Sequence, residues 1–150
     1  MTASINVYAY LNAAWSNITS DVQTDTLMAM WGMRSNKPND RIADTGQLSF
    51  TLNNTTGKYS PDGASALSGW KKGVFVKVVI TYSGQDFIRF RGAVDSVRID
   101  AGTQSQRKAY VTVLDWLDYA AKYPLNAPAV EEDKTADYAI DAIVDAMTIA

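Results

Sequence analysis

At 150 residues the chain is sized for one ordinary domain with a real core, and it contains neither His nor Cys. Those absences exclude disulfides, thiolate zinc sites, a Cys nucleophile, an imidazole base and the Ser–His triad. A formal charge of −2 argues against a polyanion as the main partner, while 47% hydrophobic and 11% aromatic residues exclude a wholly disordered chain and favour strands.

No charged region followed by an apolar run opens the sequence, so no signal peptide is read. No stretch approaches the roughly 20 apolar residues of a membrane helix. The expectation is a soluble protein made in the cytoplasm. Ser4 to Leu11 alternates, with Ile5, Val7, Ala9 and Leu11 on one face and Tyr8 and Tyr10 on the other, which predicts a strand covered on both sides. Asn12 to Asp25 reads as a polar connector pinned by Trp15, Ile18 and Val22. Leu27 to Met33 reads as a strand, and Arg34 to Thr45 as a polar loop with a turn at Pro38-Asn39-Asp40.

Gln47 to Leu52 is a strand with Leu48, Phe50 and Leu52 on one face. It opens a polar segment that runs to Trp70-Lys71-Lys72-Gly73. A structureless loop of about 20 residues is uncommon in a compact domain and usually has a function, so this one is read as a contact element. Phe75 to Tyr82 is a strand, Ser83 to Asp86 a hairpin turn, and Phe87 to Phe90 the returning partner, with Gly92 permitting a bend or bulge. Ala93 to Asp100 continues with a change of phase that predicts a bulge near Asp95 and Ser96. Ala101 to Ser105 turns the chain, and Lys108 to Leu114 is the last strand. Asp115 to Ala121 suits a short helix with Asp115 as N-cap, stopped by Pro124. Thr135 to Met147 shows helical spacing, with an apolar stripe opposite Asp137, Asp141 and Asp145. The fold class expected is mainly β: an antiparallel barrel or sandwich of about seven strands in residues 1–123. Residues 124–150 form a connector and C-terminal helix, and the abrupt end suggests the start of a following domain.

The sequence offers little chemistry. Asp95, Asp100 and Asp115 supply carboxylates for a glycosidase-like pair, but spacing alone does not set two of them across a substrate. Glu131-Glu132-Asp133 lacks the spaced ligands of a calcium loop, no phosphate-binding glycine motif is present, and no cofactor is called for. Asn17-Ile18-Thr19 and Asn54-Thr55-Thr56 match the glycosylation sequon, and without a secretory signal they read as polar loops. Arg89, Arg91, Arg98, Arg107 and Lys108 accompany Phe87, Phe90 and Tyr110, the ingredients of a single-strand-binding barrel face, although Phe87 and Phe90 fall on opposite faces. A nucleic-acid-binding barrel and a carbohydrate-binding β-domain therefore stand as alternatives.

Laid in order, several short phrases resemble the N-terminal, tail-tube-like barrel region of phage tail hub or baseplate hub proteins and related prophage minor tail proteins. These are Trp15-Ser16-Asn17-Ile18-Thr19-Ser20-Asp21-Val22; Met30-Trp31-Gly32-Met33-Arg34; and Gly46, Phe50, Leu52 and Asn53-Asn54, leading to Gly57-Lys58-Tyr59-Ser60-Pro61. There follow Gly73 to Ile80, Arg89-Phe90-Arg91-Gly92-Ala93-Val94, Val111-Thr112-Val113-Leu114-Asp115-Trp116-Leu117 and an alanine-rich helix. The order and spacing from Trp15 to Met147 carry the likeness. Trp31-Gly32 departs from the Arg-Gly that is usual before the second loop. The resemblance implies a non-catalytic structural component of a virion tail. It implies a ring-forming homo-oligomer (a trimer or hexamer) that meets other tail proteins through its loops and edge strands. It marks Trp31, Arg34, Asn53, Asn54, Tyr59, Trp70, Lys71 and Lys72 as interface candidates. For Trp31, Tyr59 and Trp70 the alternative is packing of the loops on their own barrel.

Overall fold

The computed structural model describes residues 3–32, 44–102, 107–122 and 135–146. In chain order the elements are β1 (Ala3–Leu11), β2 (Ala14–Asn17), a 3-10 turn (Thr19–Asp21), β3 (Val22–Met30), β4 (Gln47–Asn53), β5 (Phe75–Tyr82), β6 (Gln85–Asp100), β7 (Lys108–Asp115), α1 (Trp116–Lys122) and α2 (Ala136–Ala146). All seven strands form one antiparallel sheet in the order β2-β1-β5-β6-β7-β4-β3.

Connectivity dictates that this sheet curls. Strands β2 and β3 lie at opposite edges, yet only Ile18 to Asp21 join them. A link that short spans at most about 17 Å, whereas six inter-strand gaps laid flat measure about 29 Å. The edges therefore come toward each other, and the sheet rolls into a half-barrel. The core agrees. Val7, Ala9 and Leu11 from one side join Val22, Leu48 and Leu52 from the other in a single buried cluster, with Val76, Val78, Val94, Val111 and Val113 between them.

Four strands follow the sequence alternation closely, and two readings are corrected. The expected connector at Asn12 to Asp25 contains β2 and the start of β3, and the strand expected at Leu27 to Met33 runs instead from Val22 to Met30. The physical reason is an irregular pairing. Between Gln23 and Met28 the register with β4 shifts, and the Thr26 hydroxyl donates to the Gln23 carbonyl at 2.6 Å while accepting the Thr51 amide at 2.9 Å. A side chain thus substitutes for a ladder bond inside a polar stretch that has no hydrophobic period. Phe87 to Phe90 continues through Gly92 into Ala93 to Asp100 as one strand, β6, with register shifts opposite Val78/Val79 and between Val94 and Ser96. The second shift is the bulge expected near Asp95. Gly92 allows β6 to lie close to β7, because a Cβ there would stand 2.0 Å from the Leu114 carbonyl oxygen. The β5–β6 hairpin turns on Ser83 and Gly84, both at positive φ (52° and 77°), the geometry of a two-residue primed turn.

The segment from Asn54 to Val74 is not structureless. Its backbone closes successive three-residue turns: the Gly57 amide donates to Asn54, Ser60 to Gly57, Gly63 to Ser60 and Ala66 to Gly63. Trp70 donates to Leu67 and Val74 to Lys71. A longer bond from Leu67 back to Lys58, 2.7 Å, folds the string on itself. Tyr59 and Trp70 descend from it into the core, and it therefore covers the barrel as a lid made of turns.

Candidate functional site

The phrases that carry the family likeness meet one another in space. The 3-10 turn brings Asp21 to the turn segment, where its carboxylate accepts the Tyr59 hydroxyl at 2.7 Å and pairs with the Lys58 ammonium, also at 2.7 Å. Tyr59 is fully buried, and its ring edge packs on Trp70 at 5.2 Å and 77°. Burial, followed by the hydrogen bond to Asp21 and the negative charge of that carboxylate, holds the Tyr59 phenol far above the ordinary tyrosine range. In the same phrase Thr19 accepts the Val7 amide at 2.8 Å, and the Ile18 amide donates to the Val7 carbonyl at 2.9 Å, so β1 is tied to the turn that closes the sheet.

A second lock joins Asp115 to Gly46. One carboxylate oxygen of Asp115 accepts the Gly46 amide at 2.8 Å and the other accepts the Leu117 amide at 3.0 Å, which makes Asp115 the N-cap of α1. A Cβ on residue 46 would lie 2.5 Å from that carboxylate, so a side chain there would push the carboxylate aside. Asn54 makes the third lock. It is fully buried, accepts the Tyr59 amide at 2.8 Å and donates to the Ser60 hydroxyl at 2.9 Å.

The interface candidates consequently divide. Asn54, Tyr59 and Trp70 are buried within their own chain, the local-packing alternative for the two aromatics. The Trp70 indole nitrogen is buried without a hydrogen-bond partner among the described residues. Asn53 is exposed and accepts the Thr55 amide and hydroxyl at 3.1 and 2.6 Å. Lys71 is exposed, and Lys72 reaches Asp95 at 3.3 Å. Trp31 is 57% exposed and leans on the Phe90 ring at 5.9 Å. Arg34, like Asp40 and Glu131-Glu132-Asp133, lies outside the described residues.

The carboxylates that sequence spacing offered for catalysis have structural partners. Asp95 meets Lys72, Asp100 accepts the Gly102 amide at 2.9 Å, and Asp115 holds Gly46 and α1. Among the described residues no acidic cluster is assembled that could hold a metal ion. The stacking platform is also incomplete: Phe90 is buried at 3% exposure, and Tyr110 is covered by the Arg98 guanidinium at 4.3 Å. No described helix is long and apolar enough to cross a membrane.

Sequence reasoning missed a cation–aromatic row on the outer face. Register aligns Tyr8, Lys77 and Arg91 across β1, β5 and β6, and Tyr10 opposite Trp15. The Lys77 ammonium sits 4.4 Å from the Trp15 ring and 5.3 Å from Tyr8, with the Arg91 guanidinium 5.7 Å from Trp15. The second face of β1 is thus half-buried beneath cations rather than covered by another layer. The Tyr8/Tyr10 alternation was a signal for an aromatic outer face, but its cations come from strands about seventy residues away, and only the register joins them.

No protein-family model matches the chain, and no curated protein matches it in sequence. Among solved structures, the 43 kDa tail protein of prophage MuSo2 from Shewanella oneidensis is similar over 85% of this chain and 33% of its own, with a TM-score of 0.45 and 15% identity. The chain therefore spans about a third of that protein's length.

Proposed function

We propose that this chain is a non-catalytic assembly module of a phage or phage-like tail, of the tail hub type, working by contact with copies of itself and with other tail proteins in the virion tail. Residues 1–123 are the barrel unit, and residues 124–150 are a connector and C-terminal helix. The observation that carries the reading is where the large apolar side chains are exposed. Met28 (58%), Met30 (53%) and Trp31 (57%) follow one another along and just beyond edge strand β3. Ile5 (43%), Tyr82 (47%), Phe87 (42%) and Ile88 (59%) gather where β1 meets the β5–β6 hairpin. An edge strand with one side unpaired among the described residues and apolar side chains around it is a template for another chain, which monomeric proteins normally blunt. The phrases that carry the resemblance support the same reading, since their contacts lock the barrel into one unit.

The test is the mass of the full chain in solution across a wide concentration range, by light scattering coupled to size exclusion, with electron microscopy of the largest species. Closed rings or concentration-dependent oligomers are expected. A monomer at every concentration, with no incorporation into tail particles, refutes the reading.

A further inference from the structure

The outer face holds a concave feature beside the cation–aromatic row. A cleft of about 330 Å³ opens between β5, β6 and α1, with Phe75, Ala93, Trp116 and Tyr119 as apolar walls, Arg91 at its border with the row, and Asp115 also in its lining, where its carboxylate is held by the Gly46 and Leu117 amides. Trp116 is 42% exposed there. An apolar slot with Arg91 on its rim and Lys77 beside Arg91 in the register suits an amphipathic helix with an acidic flank, which sets an apolar residue in the slot and carboxylates on the rim.

The chain carries such a helix. Asp137, Asp141 and Asp145 lie four residues apart on α2, and Ile140, three positions after Asp137, stands at the border between that acidic stripe and the apolar stripe opposite it. All four are exposed, Ile140 at 60%. The stripe works against its own helix. Like charges at this spacing repel, and the last turn of α2 holds Asp145 and no basic residue, the wrong sign for the helix dipole. A cationic partner relieves both conflicts. Helix α1 packs against β6 and β7, and on α2 the side chains of Asp137, Ile140, Asp141 and Asp145 are exposed.

We propose that the cleft and the cation–aromatic row receive helix α2 of a second copy, with Ile140 entering the slot and the acidic stripe meeting Arg91 and Lys77. The two surfaces differ, so the contact is head-to-tail. It closes into a ring if the rotation permits and otherwise extends. The proposal rests on the assembly reading above and names one of its interfaces.

The experiment is sedimentation of four full-length proteins at low and high salt: the wild type, Lys77→Glu/Arg91→Glu, Asp141→Lys/Asp145→Lys, and the chain carrying all four changes. Each double variant is expected to raise the self-dissociation constant at least about tenfold, the fourfold variant to regain association, and high salt to weaken the wild type. The helix variant relieves the dipole conflict, so it folds even if the sheet variant does not; melting curves check both. Wild-type association that both double variants retain refutes this interface and leaves the assembly reading standing. Loss without recovery in the fourfold variant refutes the pairing. A monomeric wild type refutes both readings together.

Discussion

Tyr59 is where burial and charge act together. Its hydroxyl reaches a carboxylate from inside the core, so the phenol must remain protonated for the lock to hold. An unfolded tyrosine ionises near pH 10, and the folded one is held well above that value. The contribution to stability is thus complete below about pH 10 and is lost progressively as pH rises from there toward the folded value, because only the unfolded chain sheds this proton. Tyr59→Phe is expected to cost about 1–2 kcal/mol at neutral pH, since Asp21 keeps Lys58. The variant's stability should also fall less steeply than the wild type's above pH 10. Urea unfolding at pH 7, 9 and 10.5 measures both, and identical alkaline slopes would show that Tyr59 does not supply this term. A second residue points the other way. Ala13 holds φ of 64° in the β1–β2 hairpin next to Asn12 at 50°, a left-handed conformation that costs a side-chain-bearing residue about 1 kcal/mol. Ala13→Gly is expected to raise the melting temperature by roughly 2–4 °C, and an unchanged or lower value would mean that flexibility gained by the unfolded chain cancels the relief.

The elements show which local signals survive folding. β1, β4, β5 and β7 were legible because each buries one face of a period-two pattern against the same core, as Leu48, Phe50 and Leu52 do. β2 is four residues long, and the first half of β3 pairs through the Thr26 side chain, so neither has a period to read. The turn segment was legible only as composition. Its Asn, Gly and Ser residues look the same in an open loop and in a string of turns, and the buried Tyr59 hydroxyl meets Asp21, a carboxylate 38 residues earlier that only the β3–β4 pairing brings beside it. Of the eight interface candidates the sequence marked, it could not tell which would turn inward for that reason. The turn string has a keystone, however. Asn54 satisfies the Tyr59 amide and the Ser60 hydroxyl from a fully buried site, and its own carbonyl starts the first turn. Asn54→Ala leaves the Tyr59 amide unpaired and should cost about 2–3 kcal/mol. It should also make the bond after Lys58 susceptible to trypsin while the β-sheet circular dichroism persists. A segment no more easily cut than in the wild type would mean that Tyr59 and Trp70 alone hold the lid.

For the whole molecule, the curl of the sheet leaves two edges whose fates differ. The β2 edge is short and is tied down by the hydrogen bonds of Ile18 and Thr19 to Val7. The β3 edge is longer, pairs on one side with β4, and carries Met28 and Met30 on the face opposite Leu27 and Ala29, which pack on the core. Methionine on an exposed edge adds little to the monomer, because each side chain is more than half exposed. In an assembly the same side chains would be buried, at about 25 cal/mol per Å² of apolar surface removed from water. This difference makes the edge separable from the fold. Met28→Lys with Met30→Lys places two charges where monomeric β-proteins commonly carry them. The double variant is expected to keep the melting temperature of the isolated chain within about 2 °C, since it removes few core contacts. Its self-association should fall by an order of magnitude or more. Parallel light scattering and thermal unfolding at several concentrations distinguish the outcomes. Association that survives both lysines would exclude the β3 edge as an assembly surface and leave the hairpin patch of Ile5, Tyr82, Phe87 and Ile88 and the cleft that receives α2 as the contacts. A large loss of thermal stability in dilute solution would show instead that the methionines belong to the barrel's own packing.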